Sequence, residues 1–189
     1  MELDGIRHNI PFLSSVMRNK KFIKGDTTTA FIEEEFPDGF KSVKLDSSLL
    51  KLIAAACSAM YRVFEIRRTR ITGRMDNHTR VVENDWVVSL GGHNFDINLK
   101  ADKTGSMVKF LDKSIVRVES NWVPGDSIAK VKIEDKILIM KVNKVTGGFR
   151  VRLLGSDLDV LIRNKRQFEL SSHMLRKIEQ DRTKFLVCP

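Results

Sequence analysis

The sequence of 189 residues has little cysteine, and its first residues contain no apolar run. Its two cysteines, Cys57 and Cys188, have no CxxC neighbour, which excludes a disulfide framework and favours a reducing compartment. The opening residues Met1-Glu2-Leu3-Asp4 are acidic and begin no apolar run, so we expect no secretory signal. With 42% hydrophobic and 30% charged residues, the composition is typical of one globular domain with room for an appendage.

The patterns that accompany catalysis, metal binding or phosphate binding are also missing. The histidines are scattered, without a cysteine or carboxylate at metal-ligand spacing: His8, His78, His93 and His173. The carboxylates of Glu33–Glu35 are consecutive and point in different directions, which favours a solvated linker. The glycine pairs lie between predicted strands instead of before helices, unlike a phosphate-binding loop. We therefore expect no catalytic residue, no metal site and no cofactor site in this chain.

The net charge of +9 raises the question of nucleic-acid binding. The basic residues alternate with apolar ones in strand-like runs, as on the outer face of a sheet: Lys130, Lys132, Lys141, Lys144, Arg150 and Arg152. No RNP, zinc-finger or helix-turn-helix pattern accompanies them. We therefore expect no specific nucleic-acid partner, because basic composition alone indicates only solubility and non-specific attraction.

A helix apolar around most of its circumference is predicted after Asp46, which suits an N-cap, and it runs to about Arg68. Between Leu49 and Ile66 the polar residues form one narrow stripe: Lys51, Ser58, Arg62 and Glu65. Such a helix must be buried on most sides. A membrane span is disfavoured, since each of its three charged residues costs about 2.5–3.5 kcal/mol near a bilayer centre. The helix therefore needs a protein wrapper, and we expect no membrane partner.

Short runs with alternating apolar and polar residues follow and predict about eight strands joined by short turns. The runs are 85–90, 94–100, 106–111, 114–121, 127–134, 136–142, 148–154 and 157–163. Gly91-Gly92 and Gly155-Ser156 indicate tight hairpins. The predicted fold class is α+β, with a long central helix surrounded by an antiparallel barrel and an N-terminal helical strip. An eight-stranded barrel normally fills itself with side chains, so the helix calls for a wider or partly open barrel, or for a curved sheet on one side.

Two further segments bear on function. The segment from Thr69 to Asn84 is polar and irregular, and it is either a binding loop or a plain connector. Leu138–Val142 resembles the centre of a biotinyl domain, but Lys141 lies in a predicted strand and lacks the usual flanking residues, so we do not expect it to carry biotin. A final helix is predicted near Gln167–Asp181, which would pack outside the strands or lead away from them.

Three segments resemble the biotin-carrying alpha subunits of propionyl-CoA carboxylases: Asp4–Leu13, Phe31–Lys41 and Phe185–Pro189. In that family the first two close the biotin carboxylase domain and the last leads into the biotinyl domain. The resemblance implies that residues 1–40 are a C-terminal strip of the biotin carboxylase domain with a linker. Residues 41–189 would form the subunit-bridging BT domain, a helix in an eight-stranded barrel.

The resemblance further implies a non-catalytic domain that docks onto the carboxyltransferase beta subunit through a hook after the long helix. The hook residues would be Arg70, Thr72, Arg74, Met75, Asn77 and Arg80. The parent enzyme would use biotin, ATP and Mg to carboxylate propionyl-CoA, in the bacterial cytoplasm or the mitochondrial matrix. The alternative is a stand-alone barrel that binds a small ligand. That alternative predicts a sizeable polar cavity, whereas the docking interpretation predicts a barrel plugged by Met60, Tyr61 and Phe64.

Overall fold

A computed structural model describes residues 9–37, 39, 45–71, 81–102 and 105–174 of the chain. The helices are α1 (Ile10–Val16), α2 (Lys20–Lys24), α3 (Phe31–Glu35), α4 (Ser47–Thr69) and α5 (Lys165–Ser172). The strands are β1 (Asp85–Leu90), β2 (His93–Asp102), β3 (Gly105–Phe110), β4 (Ile115–Ser120), β5 (Ile128–Ile133), β6 (Lys136–Val145), β7 (Gly148–Leu153) and β8 (Ser156–Arg163).

The eight strands form a closed antiparallel barrel in sequence order, and β8 returns to pair with β1 through Val88 and Ile162. The predicted fold class is therefore confirmed, and the sheet is a closed barrel, neither partly open nor curved around one side of the helix. The barrel closes around α4 because the residues facing one another are small. Ala54, Ala55 and Ala56 are fully buried, and valine is the commonest residue at the inward positions of the strands: Val88, Val108, Val116, Val118, Val131, Val142, Val151 and Val160.

Helix α4 begins at Ser47 after Asp46, as predicted, although the Asp46 carboxylate accepts from the Ser48 hydroxyl and caps no backbone amide of the helix. Two residues of the polar stripe have partners along the barrel. Ser58 Oγ donates to the carbonyl of Ala55 at 2.8 Å, and Lys51 pairs with Asp112 in the β3–β4 turn. The helix is thus enclosed on its polar side too, so nearly all of its middle is core.

Two-residue turns join β1 to β2, β5 to β6, β6 to β7 and β7 to β8, with one shift from the prediction. The β7–β8 turn is Leu154-Gly155, since Leu153 pairs with Ser156, and both turn residues have positive φ (53° and 82°). This is the type I′ geometry of two-residue hairpins. The predicted turn at Gly155-Ser156 is therefore one residue late.

Outside the barrel, helix α5 starts two residues earlier than predicted, where Asn164 and Gln167 form a capping box. It contacts β1 and β8 on the outside, as expected, and residues of the predicted helix beyond 174 lie outside the described part of the chain. The carboxylates predicted to form a linker, Glu33–Glu35, are instead helical in α3.

Candidate docking surface at the barrel mouth

The C-terminal part of α4 leaves the barrel at one end, which we call the mouth. From Ile53 to Met60 every residue of the helix is buried. Beyond Met60 exposure rises: Val63 is 44% exposed, and Arg67, Arg68 and Arg70 are exposed. Since the side chains of the barrel wall hold the buried part, the projecting part has a fixed direction.

Aromatic rings close the mouth around the emerging helix. Tyr61 packs edge-on against Trp86 and Phe149, with centroids 5.3 and 6.0 Å apart, and Trp122 packs against Phe149 at 5.6 Å. Each indole N–H is satisfied by a backbone carbonyl, that of Glu83 for Trp86 and that of Asp126 for Trp122. Buried edge-to-face pairs stabilise beyond their area alone, so these rings form a rigid collar.

Lys144, near the end of β6, lies over this collar. Its Nζ is 4.9 Å from the ring centroid of Tyr61, 4.6 Å from that of Phe64 and 5.3 Å from that of Phe149. It also donates to the carbonyl oxygens of Val145 and Gly148 at 3.2 and 3.3 Å. Burial lowers the pKa of Lys144 from its ordinary value, whereas the ring quadrupoles favour the cation. The ammonium thereby ties the β6–β7 hairpin to the projecting helix.

Two arginines fasten the other sides of the same helix. Arg62 Nη1 donates to Asn84 Oδ1 at 2.7 Å, just before β1. Arg67 Nη1 donates to the carbonyl of Pro124 at 3.2 Å, in the β4–β5 connection. Contacts from three directions therefore hold the last turns of α4.

A recess of about 520 Å³ lies at the mouth between α4 and strands β2–β4. Its lining mixes apolar residues, among them Met60, Val63 and Trp122, with polar ones, among them Ser120 and Asn121. The Nε atom of Arg62, also in the lining, is buried and has no hydrogen-bond partner in the structure. The lumen itself holds the helix, with Met60 only 1% exposed. Met60, one of the three residues predicted to plug the barrel, therefore lies inside the lumen.

Of the predicted hook residues, the structure describes Arg70 alone. It is exposed and follows the last residue of α4, with its N–H donating to the carbonyl of Arg67 at 3.2 Å. The other five lie outside the described residues: Thr72, Arg74, Met75, Asn77 and Arg80. Sequence reasoning missed Lys144 as a fastener because an isolated lysine in a strand looks like any solvated outer-face residue.

Other reactive groups are placed unfavourably for chemistry. Burial raises the pKa of the Cys57 thiol far above its usual range, and the side chain is fully buried inside the barrel. Lys141 lies within β6, opposite Ile128 and Arg152, away from any hairpin tip. Within the described ranges, no three histidine, cysteine or acidic side chains come together as a metal site. None of the helices there is long and apolar enough to cross a membrane.

Comparison with known proteins gives a consistent set of relatives. The family model of the propionyl-coenzyme A carboxylase BT domain matches residues 52–177. The chain is 52% identical over 188 residues to the propionyl-CoA carboxylase alpha chain of Ruegeria pomeroyi, covering 100% of this chain and 28% of that protein. It is 29% identical over 193 residues to the mitochondrial alpha chain of Mus musculus, covering 98% of this chain and 26% of that protein. It therefore spans about a quarter of the length of these curated relatives.

Proposed function

Because this chain belongs to the family of propionyl-coenzyme A carboxylase BT domains, we propose that it is a non-catalytic docking domain. It joins the biotin carboxylase part of an alpha chain to the carboxyltransferase beta subunit. In the parent enzyme, biotin is carboxylated with ATP, Mg and bicarbonate, and the carboxyl group then passes to propionyl-CoA. A carrier that serves two active sites needs them at a fixed separation, which raises its effective concentration at each.

The observation that carries this proposal is the fastened, projecting end of α4. A helix held by Lys144, Arg62 and Arg67 fixes the position and direction of Arg70, from which the chain continues toward the proposed hook. A rigid scaffold presenting a loop is a common arrangement for binding. The domain's proposed part in the reaction is therefore positional.

The organisation of the parent chain follows from the same proposal. Residues 1–40 are the end of the biotin carboxylase domain with a linker, and residues 41–189 are the docking domain that leads to the biotinyl domain. The fragment binds no cofactor, and its partners are the beta subunit and the other two domains of its own chain. The enzyme works in the bacterial cytoplasm, or in the mitochondrial matrix for an organellar relative.

The hook is proposed to supply the main contact through Arg70, Thr72, Arg74, Met75, Asn77 and Arg80. The test uses light-scattering chromatography of the full-length protein with the purified beta subunit of its source. The wild type should co-elute with it, and Arg70→Glu/Arg74→Glu should weaken the complex. A matched reversal at the end of the barrel opposite the mouth, Lys109→Glu/Lys113→Glu, should not. Absence of a complex at tens of micromolar with a folded wild-type protein would refute the proposal.

A further inference from the structure

The outer face of strands β5 and β6 carries exposed isoleucines alternating with lysines. We call it the Ile/Lys face, formed by Ile128, Lys130, Lys132, Ile137, Ile139 and Lys141. The register places Lys130 opposite Ile139 and Lys132 opposite Ile137, with Ile128 opposite Lys141. The isoleucines are 48%, 56% and 58% exposed at positions 128, 137 and 139. Side chains opposite or diagonal to one another in such a pair lie about 4.5–8 Å apart, so the three form one continuous apolar stripe.

The charges of Lys130 and Lys132 are not balanced in the way that those on neighbouring strands are. On β7 and β8, Arg150 pairs with Asp159 and Arg152 with Asp157 at 2.7 and 2.9 Å. Glu119 of β4 lies opposite Lys132, but its carboxylate pairs with Arg117 at 3.1 Å.

Within the described part of the chain, Lys130 and Lys132 form no ion pair. Their charges are therefore available to an external group.

The face starts beside the end of α4. Arg67 contacts Pro124, four residues before β5 begins at Ile128. Phe64 lies under Lys144, which is the second-last residue of β6 before the β6–β7 hairpin. The helix end therefore touches the connection that enters β5 and the hairpin that leaves β6. A body that grips the chain beyond Arg70 from this side meets the Ile/Lys face next.

We propose that the Ile/Lys face is a second contact with the partner that binds the hook, the carboxyltransferase subunit, and that it meets an acidic surface with an apolar centre. This inference rests on the proposed function and adds the side of the barrel that faces the partner. Apolar stripes rimmed by charge are typical of protein contacts, and complementary charge speeds association.

Other occupants fit this face less well. A second copy would set Lys130 and Lys132 against the same lysines, because a two-fold contact places like patches together. Single-stranded nucleic acid normally stacks on aromatic rings, and this face carries none. A membrane-surface element uses Trp, Phe or Leu that can insert, whereas isoleucines on a closed barrel are held in the plane of the sheet.

The test measures binding kinetics of the full-length protein on immobilised beta subunit between 50 and about 300 mM salt. Lys130→Glu/Lys132→Glu should lower the association rate about tenfold at low salt and flatten its salt dependence. Ile137→Ser/Ile139→Ser should leave association nearly unchanged and speed dissociation several-fold. The control Lys109→Glu/Lys113→Glu makes the same charge change at the end of β3 opposite the mouth and should behave as wild type. Circular dichroism of each variant checks folding.

The outcomes separate the two proposals. If wild type binds and the β5–β6 variants match the control, the second contact is refuted and hook docking stands. If wild type does not bind the beta subunit, both are refuted. Binding of wild type to phosphatidylserine vesicles, lost in the lysine variant while beta-subunit binding is kept, would assign the face to a lipid surface and overturn the inference.

Discussion

Two lysines, one near each end of α4, link the helix to the barrel wall. At the end of the barrel opposite the mouth, Lys51 pairs with Asp112, and its Nζ lies 4.6 Å from the ring centroid of Phe110. At the mouth Lys144 makes the corresponding contact in reverse, reaching from the wall to Tyr61 and Phe64 on the helix. Both combine a charge with an aromatic face and so resist sliding of the helix along the barrel axis.

Lys144→Met should destabilise the domain by about 1–2 kcal/mol, because methionine keeps the apolar stem but loses the cation–π contacts and two hydrogen bonds. Lys132→Met on the outer face of β5 is the matched control and should change stability by less than about 0.5 kcal/mol. Urea unfolding followed by tryptophan fluorescence measures both. Equal effects in the two variants would show that Lys144 does not fasten the helix.

Asp112 should give the domain a pH-dependent increment of stability. Hydrogen bonding from Lys51 and then Ser114 lowers the pKa of Asp112 to about 2, against about 3.9 in an unfolded chain. A depressed folded-state pKa stabilises above the unfolded value, and this contribution is lost as pH falls from about 4 to about 2.

Wild type should therefore exceed Asp112→Asn in stability at pH 7, and the difference should shrink across that window. Urea midpoints at pH 7, 5, 4, 3 and 2 check this, with Asp135→Asn in the β5–β6 turn as a control. A difference that stays constant from pH 7 to pH 2 would contradict the assignment.

At the residue scale the sequence indicated which positions are buried, but not how their polar neighbours pair. The alternation in β5 and β6 places Val131 and Met140 inside, as found. The contact between Lys144 and Phe64 depends on how far α4 projects from the mouth, and no periodicity encodes that distance. The hydrogen-bond partners of Arg62 and Arg67 could not be predicted either, because their acceptors, Asn84 and Pro124, lie in irregular segments.

The element scale shows a helix and a barrel whose shapes depend on each other. The sequence was enough to predict α4, the strands and their antiparallel order, because the helical and strand periods differ so clearly. It was not enough to predict closure of the barrel. Closure depends on the summed size of inward side chains, and Ala129 opposite the helix together with Ala54–Ala56 makes a narrow lumen sufficient. The alanines of the helix alone were therefore not enough to predict that it fits inside a closed eight-stranded barrel.

Gly148 is a sharp test of how closely β7 and β8 approach. A Cβ atom at Gly148 would lie 1.9 Å from the carbonyl oxygen of Val160, whereas one at Gly147 would meet nothing within 4 Å. Gly148→Ala must move backbone and should cost at least about 3 kcal/mol. Gly147→Ala meets only its positive φ of 76° and should cost about 1–2 kcal/mol.

Thermal unfolding of the two variants side by side gives the comparison. The order of stability should be wild type, Gly147→Ala, then Gly148→Ala. A Gly148→Ala variant as stable as Gly147→Ala would mean that the β7–β8 pairing adjusts freely, contrary to the tight barrel described here.

At the scale of the whole molecule, the barrel is a rigid base from which one helix end projects. The filled lumen, the aromatic collar and the contacts of Lys144, Arg62 and Arg67 together fix the direction of that end. The sequence resemblance indicated the family, which the match over residues 52–177 confirms. It did not indicate the proposed partner side of the barrel, because that proposal depends on where α4 leaves the mouth and on which lysines of the described residues form no ion pair.

Hydrogen exchange of the full-length protein, alone and with the carboxyltransferase beta subunit, tests the central claim most directly. The end of α4, residues 61–71, should exchange more slowly in the complex, and the chain that follows it should share this protection. The β3–β4 turn around Asp112, at the end of the barrel opposite the mouth, should exchange at its free rate and serves as the internal control. A stable complex that leaves residues 61–71 unprotected, or protects the β3–β4 turn instead, would contradict docking through the mouth.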